Sequence, residues 1–327
     1  MGLTFSFSYA QKLHSMKDIF MILEKSEITY SLEELENEIP VPDRSKNVNN
    51  TGYYREKEDN GSYVAKAFML NEETKDFFGK AEEAFNDNNE KQAREYYLKA
   101  LKSDSSFYEV MTYIGQTYEG EGNIDNAIEW YQKTIDANYI DYMAHWFLAD
   151  AYFKKEMKKE ALDEITIALI LNRNNPRLKQ SYSKIYKSNK FKFDDWYYNP
   201  QFQIDSIDDE TVLIKYQLDW MGAALVRAVW LYEPDYAESM GSERGVVSIK
   251  QCKEELIGLF SNLDKKRMKK YPEFKALKKA LGNDYYYEYV LYEMILPDYP
   301  HVVYQLPKTE IKKIKDYVLK IRGGKKK

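Results

Sequence analysis

The sequence predicts a mainly α protein: a solenoid of helical hairpins in mid-chain, a small mixed segment before it, and a mostly helical α+β domain after it. Three observations carry that prediction. Small residues recur at a fixed 34-residue step between residues 75 and 189. The apolar positions among them follow helical rather than alternating spacing. Outside that window the step is lost, and Pro, Asn-Gly and short β-like runs appear beside helical patterns.

The step is held by four columns. Ala93, Ala127 and Ala161 form one; Ala81, Gly115 and Ala149 a second; Tyr97, Tyr131 and Ile165 a third; Ala100, Thr134 and Ala168 a fourth. Each repeat is read as two antiparallel helices that cannot bury their apolar faces alone, so neighbours must stack. The first two columns mark where helix backbones approach too closely for a larger side chain. Ile114 and Leu148, Tyr118 and Tyr152, and Leu101, Ile135 and Leu169 fill the seam. Turns fall at Asn86-Asp87-Asn88-Asn89 and at Glu121-Gly122-Asn123. After Asn175-Pro176, residues Leu178, Tyr182, Ile185 and Tyr186 continue the seam as a half-repeat that caps the stack.

These columns resemble the tetratricopeptide repeat family over about a third of the chain. The first repeat departs from its pattern, with Lys80 and Ala84 where a large apolar residue and a Tyr are usual. The resemblance implies a groove lined by the first helix of each hairpin. Here the matching positions are Phe78, Glu82 and Phe85, then Thr112, Gln116 and Glu119, then Trp146, Asp150 and Phe153. Members that capture acidic chaperone tails carry basic and amide side chains in this groove. This sequence instead places Phe78, Glu82, Tyr113, Met143 and Phe147 there. Aromatic rings between carboxylates suit an apolar protein or peptide segment bearing Lys or Arg, supplied by a partner or by the basic C-terminal region of this chain. The same rings would also serve simply to pack against the flanking regions.

The 327 residues exceed what one compact core usually needs, and 44% hydrophobic with 31% charged residues is ordinary for a folded chain. Its 30 Tyr are unusual, and each buries a ring while its hydroxyl needs a partner. No apolar run approaches the ~18–20 residues of a membrane span. Cys252 is the only cysteine and there are three His (His14, His145, His301), so neither an internal disulfide nor a Cys- or His-rich metal site is predicted. Charge is uneven: residues 249–327 hold 19 Lys and Arg against 10 Asp and Glu, in a chain of net charge −5. That basic back could meet the acidic front or an anionic partner.

The domains read as follows. Residues 1–10 resemble the tail of an export signal, with Ser8 and Ala10 where a signal peptidase favours small residues and no basic region ahead. A start codon placed too far downstream would account for that; a frayed N-terminus is the other reading. The first predicts export and a mature start at Gln11, the second a cytoplasmic protein. Residues 11–72 hold a helix capped by Ser15 with Asp18 three residues on, then a hairpin around Asn60-Gly61. The repeats with their cap occupy 73–190. The C-terminal domain, 191–322, begins with a hairpin across 202–216 and an apolar helix over 220–232. Further helices follow over 249–260, 273–281 and 284–295, and a last one carries Ile311, Ile314, Val318 and Ile321 on one face. Residues 323–327 read as a disordered basic tail.

No phosphate-binding glycine loop, zinc-protease motif, nucleophile elbow or paired-cysteine motif is present. Three features merit weighing. Arg227 lies in the apolar helix and needs a carboxylate, with Asp219 and Glu233 nearest in sequence; it reads as a buried ion pair or, failing that, an anion site. His301, near Glu288 and Glu293 in sequence, reads as a surface residue rather than a catalyst. The run Lys265-Lys266-Arg267-Met268-Lys269-Lys270 reads as a solvated face before a nucleic-acid site. The function predicted is therefore a non-enzymatic interaction or scaffold protein without a cofactor. The alternatives are an enzyme or ligand-binding domain in 191–322 recruited by the array, and a basic surface for nucleic acid or membrane.

Overall fold

The computed structural model describes residues 12–194, 196–263, 266–269 and 271–325. In chain order, α1 (Met16–Lys25) and β1 (Thr29–Glu34) precede a hairpin of β2 (Tyr53–Lys57) and β3 (Tyr63–Ala67). Seven helices follow: α2 (Glu72–Asn86), α3 (Glu90–Ser103), α4 (Glu109–Gly120), α5 (Ile124–Ala137), α6 (Tyr142–Lys154), α7 (Lys158–Leu171) and α8 (Leu178–Ser188). Then come β4 (Phe191–Lys192), β5 (Phe202–Ser206), β6 (Thr211–Tyr216), α9 (Met221–Tyr232), α10 (Tyr236–Ser239) and α11 (Ile249–Asn262). The chain ends with α12 (Pro272–Gly282), α13 (Tyr286–Tyr289), α14 (Lys308–Tyr317) and β7 (Gly324–Lys325).

Two compact units divide these elements. One is drawn from Met1–Asp43 and Asp195–Ile295, the other from Arg44–Asp194 and Leu296–Lys327. The boundaries read from the sequence were linear, whereas each unit is assembled from two separate stretches. Residues 44–72 and 296–325 thus join the repeats, and residues 12–43 join the region after them.

In the first unit β6 is the central strand, with β5 antiparallel on one side and β1 parallel on the other. The hairpin across 202–216 was expected; the third strand was not. Ser15 caps α1, and Asp18 returns a bond to the Ser15 backbone N–H at 2.8 Å, the capping box read from the sequence. Ile19 packs with Val212 and Ile214 of β6 and with the buried face of α9. Gly222 of α9 and Gly258 of α11 sit at a backbone crossing. A Cβ on Gly222 would lie 2.1 Å from the Gly258 carbonyl oxygen, and one on Gly258 2.4 Å from that of Gly222. Both helices are flush there because neither residue has a side chain. Beyond α13 the helix widens into π turns over residues 290–295.

In the second unit, α2–α7 form three hairpins and α8 a fourth first helix. All four columns are buried: Ala81, Ala149, Ala93, Ala127, Ala161, Tyr97, Tyr131, Ile165, Ala100, Thr134 and Ala168 are each 0% exposed. At Gly115 an added Cβ would come within 2.4 Å of the Tyr131 ring, which is why that column admits only small residues. Asn89 and Asn123, one step apart, cap α3 and α5. Asn88 and Gly122 just before them, and Glu156 one step further on, take positive φ, a conformation that costs least at Gly122. The hairpin of β2 and β3 turns at Gly61, with φ +85°.

The connections that follow α5 and α7 are clasped by residues 44–53. Asn138 donates to the Tyr53 carbonyl at 2.9 Å. Asn172 donates to the Asn49 carbonyl and accepts from its N–H, both at 2.9 Å. Asn174 reaches the carbonyls of Asn47 and Pro297 at 2.8 Å each. Arg44 forks onto Asp298 at 2.6 and 3.0 Å. The last helix, α14 running into π turns over 318–322, buries Ile311, Ile314, Val318 and Ile321 as expected, and its Lys315 pairs with Asp163 of α7. Residues 323–325 differ from the expected disorder. Gly324–Lys325 pairs with Phe191–Lys192 as a short antiparallel bridge, with Gly323 fitted under the Phe191 ring. The export-signal reading, on residues 1–10, and Lys326 and Lys327 lie outside the described residues.

Candidate functional site

The first helices α2, α4, α6 and α8 present a common face. Its carboxylates are held by hydroxyl groups from inside the stack. Tyr97, buried on α3, donates its hydroxyl to Glu82. One step on, Tyr131 of α5 donates to Glu119 at 2.6 Å. At the third hairpin Ile165 occupies that column, and Ser181 of α8 supplies the hydroxyl instead, donating to Asp150 at 3.0 Å. Burial, then the adjacent carboxylate, pushes both phenols well above their ordinary range, so they remain neutral donors. Burial also raises Asp150, with the Ser181 bond opposing it.

Between these carboxylates runs a series of rings. Phe78 packs edge-on to Phe107 at 5.3 Å and tilted against Tyr113 at 5.6 Å, and Tyr113 stacks on Tyr97. Phe147 lies 5.9 Å from Tyr131 and stacks on Trp146 at 5.4 Å. Phe85, Met143 and Gln116 are half-buried. Two lysines already use this chemistry within the chain: Lys154 pairs with Glu119 at 2.6 Å, and Lys184 sits 4.4 Å over the Phe153 ring.

Not every residue assigned to the groove reaches it. Thr112 is 1% exposed and donates to Asp141, the cap of α6, so it ties two repeats together instead of facing outward. Trp146 is half-buried, with its indole N–H on Ser181 at 2.8 Å. The roles of Tyr97 and Tyr131 were missed: the column marked them as seam, and only their phenol oxygens extend to the carboxylates. Beside Thr112, Glu109 is half-buried near Thr51, and burial with Asp141 close by pushes its carboxyl up to about 7.

The other candidates separate from this face. Arg227 pairs with neither Asp219 nor Glu233. Its guanidinium grips Glu255 of α11, with Nη2 to Oε2 at 2.7 Å, and Gln251 donates to the same carboxylate. Glu255 is 0% exposed and the arginine side chain 26%, which makes this a structural ion pair with one wet end. Glu233 instead accepts from Tyr30 at 2.6 Å. His301 is exposed, in the second unit, whereas Glu288 and Glu293 belong to the first. Lys265 and Lys270 of the basic run lie outside the described residues, and Arg267–Lys269 forms a single 3-10 turn. Cys252 is buried, and burial raises its thiol far above the reactive range. Among the described residues, no group of three or more His, Cys, Asp or Glu is placed to hold a metal, and no helix is long and apolar enough to cross a membrane.

Residues 108–140, which contain α4 and α5, match the tetratricopeptide repeat family. The hairpins on either side repeat their geometry at the same 34-residue step. The array of α2–α8 is a tetratricopeptide repeat (TPR) array. No curated protein matches the chain. Solved structures similar to it include the Arabidopsis OM64 TPR domain, at 17% identity and TM-score 0.34, covering 36% of this chain and 97% of that one. The second TPR domain of human RPAP3, in complex with an HSP70 peptide, is 18% identical with TM-score 0.32, covering 35% and 92%. The Yersinia enterocolitica secretion chaperone SycD, in complex with a peptide of the translocator YopD, is 16% identical with TM-score 0.33, covering 35% and 93%.

Proposed function

We propose that this protein is a non-enzymatic interaction module whose TPR array captures an apolar protein segment carrying Lys or Arg on the face of its first helices. The observation that carries this reading is the alternation of Glu82, Glu119 and Asp150 with Phe78, Phe85, Trp146 and Phe153 along that face. Each carboxylate accepts a bond from a hydroxyl that fixes its position on that face. The intrachain pairs of Lys154 with Glu119 and Lys184 with Phe153 are contacts of the kind proposed for a ligand lysine and support the reading. An acidic tail would meet like charge on the same face.

Fluorescence anisotropy with two labelled ten-residue peptides tests the reading, one alternating Leu and Lys, the other Leu and Glu. The Lys peptide is expected to bind and the Glu peptide not. Glu82→Gln with Asp150→Asn should weaken binding about tenfold, in line with loss of ~1–2 kcal/mol of charge-assisted contact. The Trp146→Ala, Phe153→Ala double variant should abolish it while helix content by circular dichroism is retained. Equal binding of both peptides, or binding that survives the double variant, would place the recognition surface elsewhere.

A further inference from the structure

The fourth hairpin is half built. α8 occupies the place of a first helix, yet the chain leaves it at Lys190, with φ +53°, and enters β4 instead of a second helix. Ser183 stands at the next 34-residue step after Ala81, Gly115 and Ala149. In the three complete hairpins that position is buried beneath the second helix; Ser183 is exposed. Beside it opens a cleft of about 560 Å³.

Rings form its floor and back. Tyr182 and Tyr186 come from α8, and Phe191 and Phe193 from the segment after it. Phe191 meets Tyr186 edge-on at 4.9 Å, and Phe193 meets Tyr186 at 5.6 Å. The Arg322 guanidinium lies 4.5 Å over Phe193 while its Nη1 donates to the Asp194 carbonyl at 2.5 Å. The rings are therefore pinned from behind and hold the cleft open. Its rim is cationic: Lys187, Lys190 and Lys192 line it, with no carboxylate among the described lining residues. Lys192 pairs with Asp194 at 3.2 Å, but both side chains are more than half exposed, so water screens that pair.

We propose that this cleft takes one amphipathic helix of a partner protein, apolar where it lies on Tyr182, Ser183 and Tyr186 and acidic along the edge facing Lys187, Lys190 and Lys192. The incoming helix completes the fourth hairpin in trans. Charge selects the occupant. Two copies docking cleft to cleft would set the same lysines against each other, whereas an acidic edge neutralises them. The site is separate from the face of the first helices and does not depend on the reading given for it.

The test uses the full chain and a labelled peptide of residues 123–138, an acidic second helix of this same array. Its Asp125, Glu129 and Asp136 share one helical edge at i, i+4 and i+11, and Ala127, Tyr131 and Thr134 lie on its packing face. Saturable binding by anisotropy is expected. Ser183→Phe should weaken it at least tenfold by filling the cleft, and Lys187→Glu with Lys190→Glu should do the same by charge. Both variants change exposed positions and should keep the wild-type melting midpoint. Glu82→Gln should leave this peptide's affinity unchanged. Absence of saturable binding would overturn the proposal, as would equal binding of a peptide with the three acids replaced by Gln. A concentration-dependent dimer in sedimentation velocity that Ser183→Phe abolishes would assign the cleft to a second copy and overturn the partner helix.

Discussion

Asn138 and Asn172 stand one 34-residue step apart, and both donate their side-chain amides to carbonyls of one upstream segment, at Tyr53 and at Asn49. The repeat thus sets the spacing of a clasp that is not itself repetitive. Asn172 is the stronger point because it also accepts from the Asn49 N–H and is 0% exposed. Asn172→Ala leaves a buried peptide group unpaired on both sides and should cost about 2–4 kcal/mol. Asn138→Ala loses one bond and should cost about 1 kcal/mol. Urea unfolding of the two variants measures the difference; equal losses would contradict the two-sided pairing.

The contact of Gly115 with Tyr131 makes a second test. Gly115→Ala would drive a Cβ against the ring and pull the hydroxyl from Glu119, and Ala127→Leu would overpack the same hairpin. Each should cost about 1–3 kcal/mol. An unchanged melting midpoint in either would remove the case for close approach there.

Arg227→Met should destabilise the first unit by about 3–5 kcal/mol, because it strands the fully buried Glu255 carboxylate. Replacing both partners by Met and Leu should recover most of that loss. A double variant as unstable as the single one would mean that packing, not charge, sets the cost.

Glu109 gives a pH signature. Its carboxyl titrates near 7 in the folded protein against 4.5 as the reference value, so the folded state holds this proton more tightly. The resulting stability is present in full below about pH 4.5, declines as pH rises, and is gone above about 7. Glu109→Gln should therefore abolish a decline of about 1–3 kcal/mol between those limits, after discounting for partial exposure. Chemical unfolding at pH 4.5 and pH 8 reads it; a wild type with a flat profile would show that Glu109 reaches solvent.

The array was legible because its constraint is written in small residues at a constant step, which needs no knowledge of neighbours. The clasp was not. Asn47, Asn49, Asn138, Asn172 and Asn174 act on backbone carbonyls, and a carbonyl leaves no mark in a sequence. Nor could Glu255 be chosen for Arg227. Proximity along the chain favoured Asp219 and Glu233, whereas the pairing depends on how α9 crosses α11. On the candidate face, the positions of Glu82, Glu119 and Asp150 follow from the step alone. That Thr112 turns inward depends on Asp141, the cap of the next repeat's first helix, whose second carboxylate oxygen takes the Thr112 hydroxyl.

The parallel pairing of β1 with β6 has a consequence in time. Thr29 is paired with Thr211, about 180 residues later in the chain. A ribosome adding ~5–20 residues per second leaves β1 without its partner for about 10–40 s. Through that interval Tyr30 and Leu32 belong to a short β-forming segment with no sheet to join, and the TPR hairpins, whose contacts are local, are made first. The order of synthesis is thus opposite to the order of assembly for the first unit. Slowing elongation should raise the yield of anything that binds the nascent first 43 residues, and should do so without altering the stability of the finished protein.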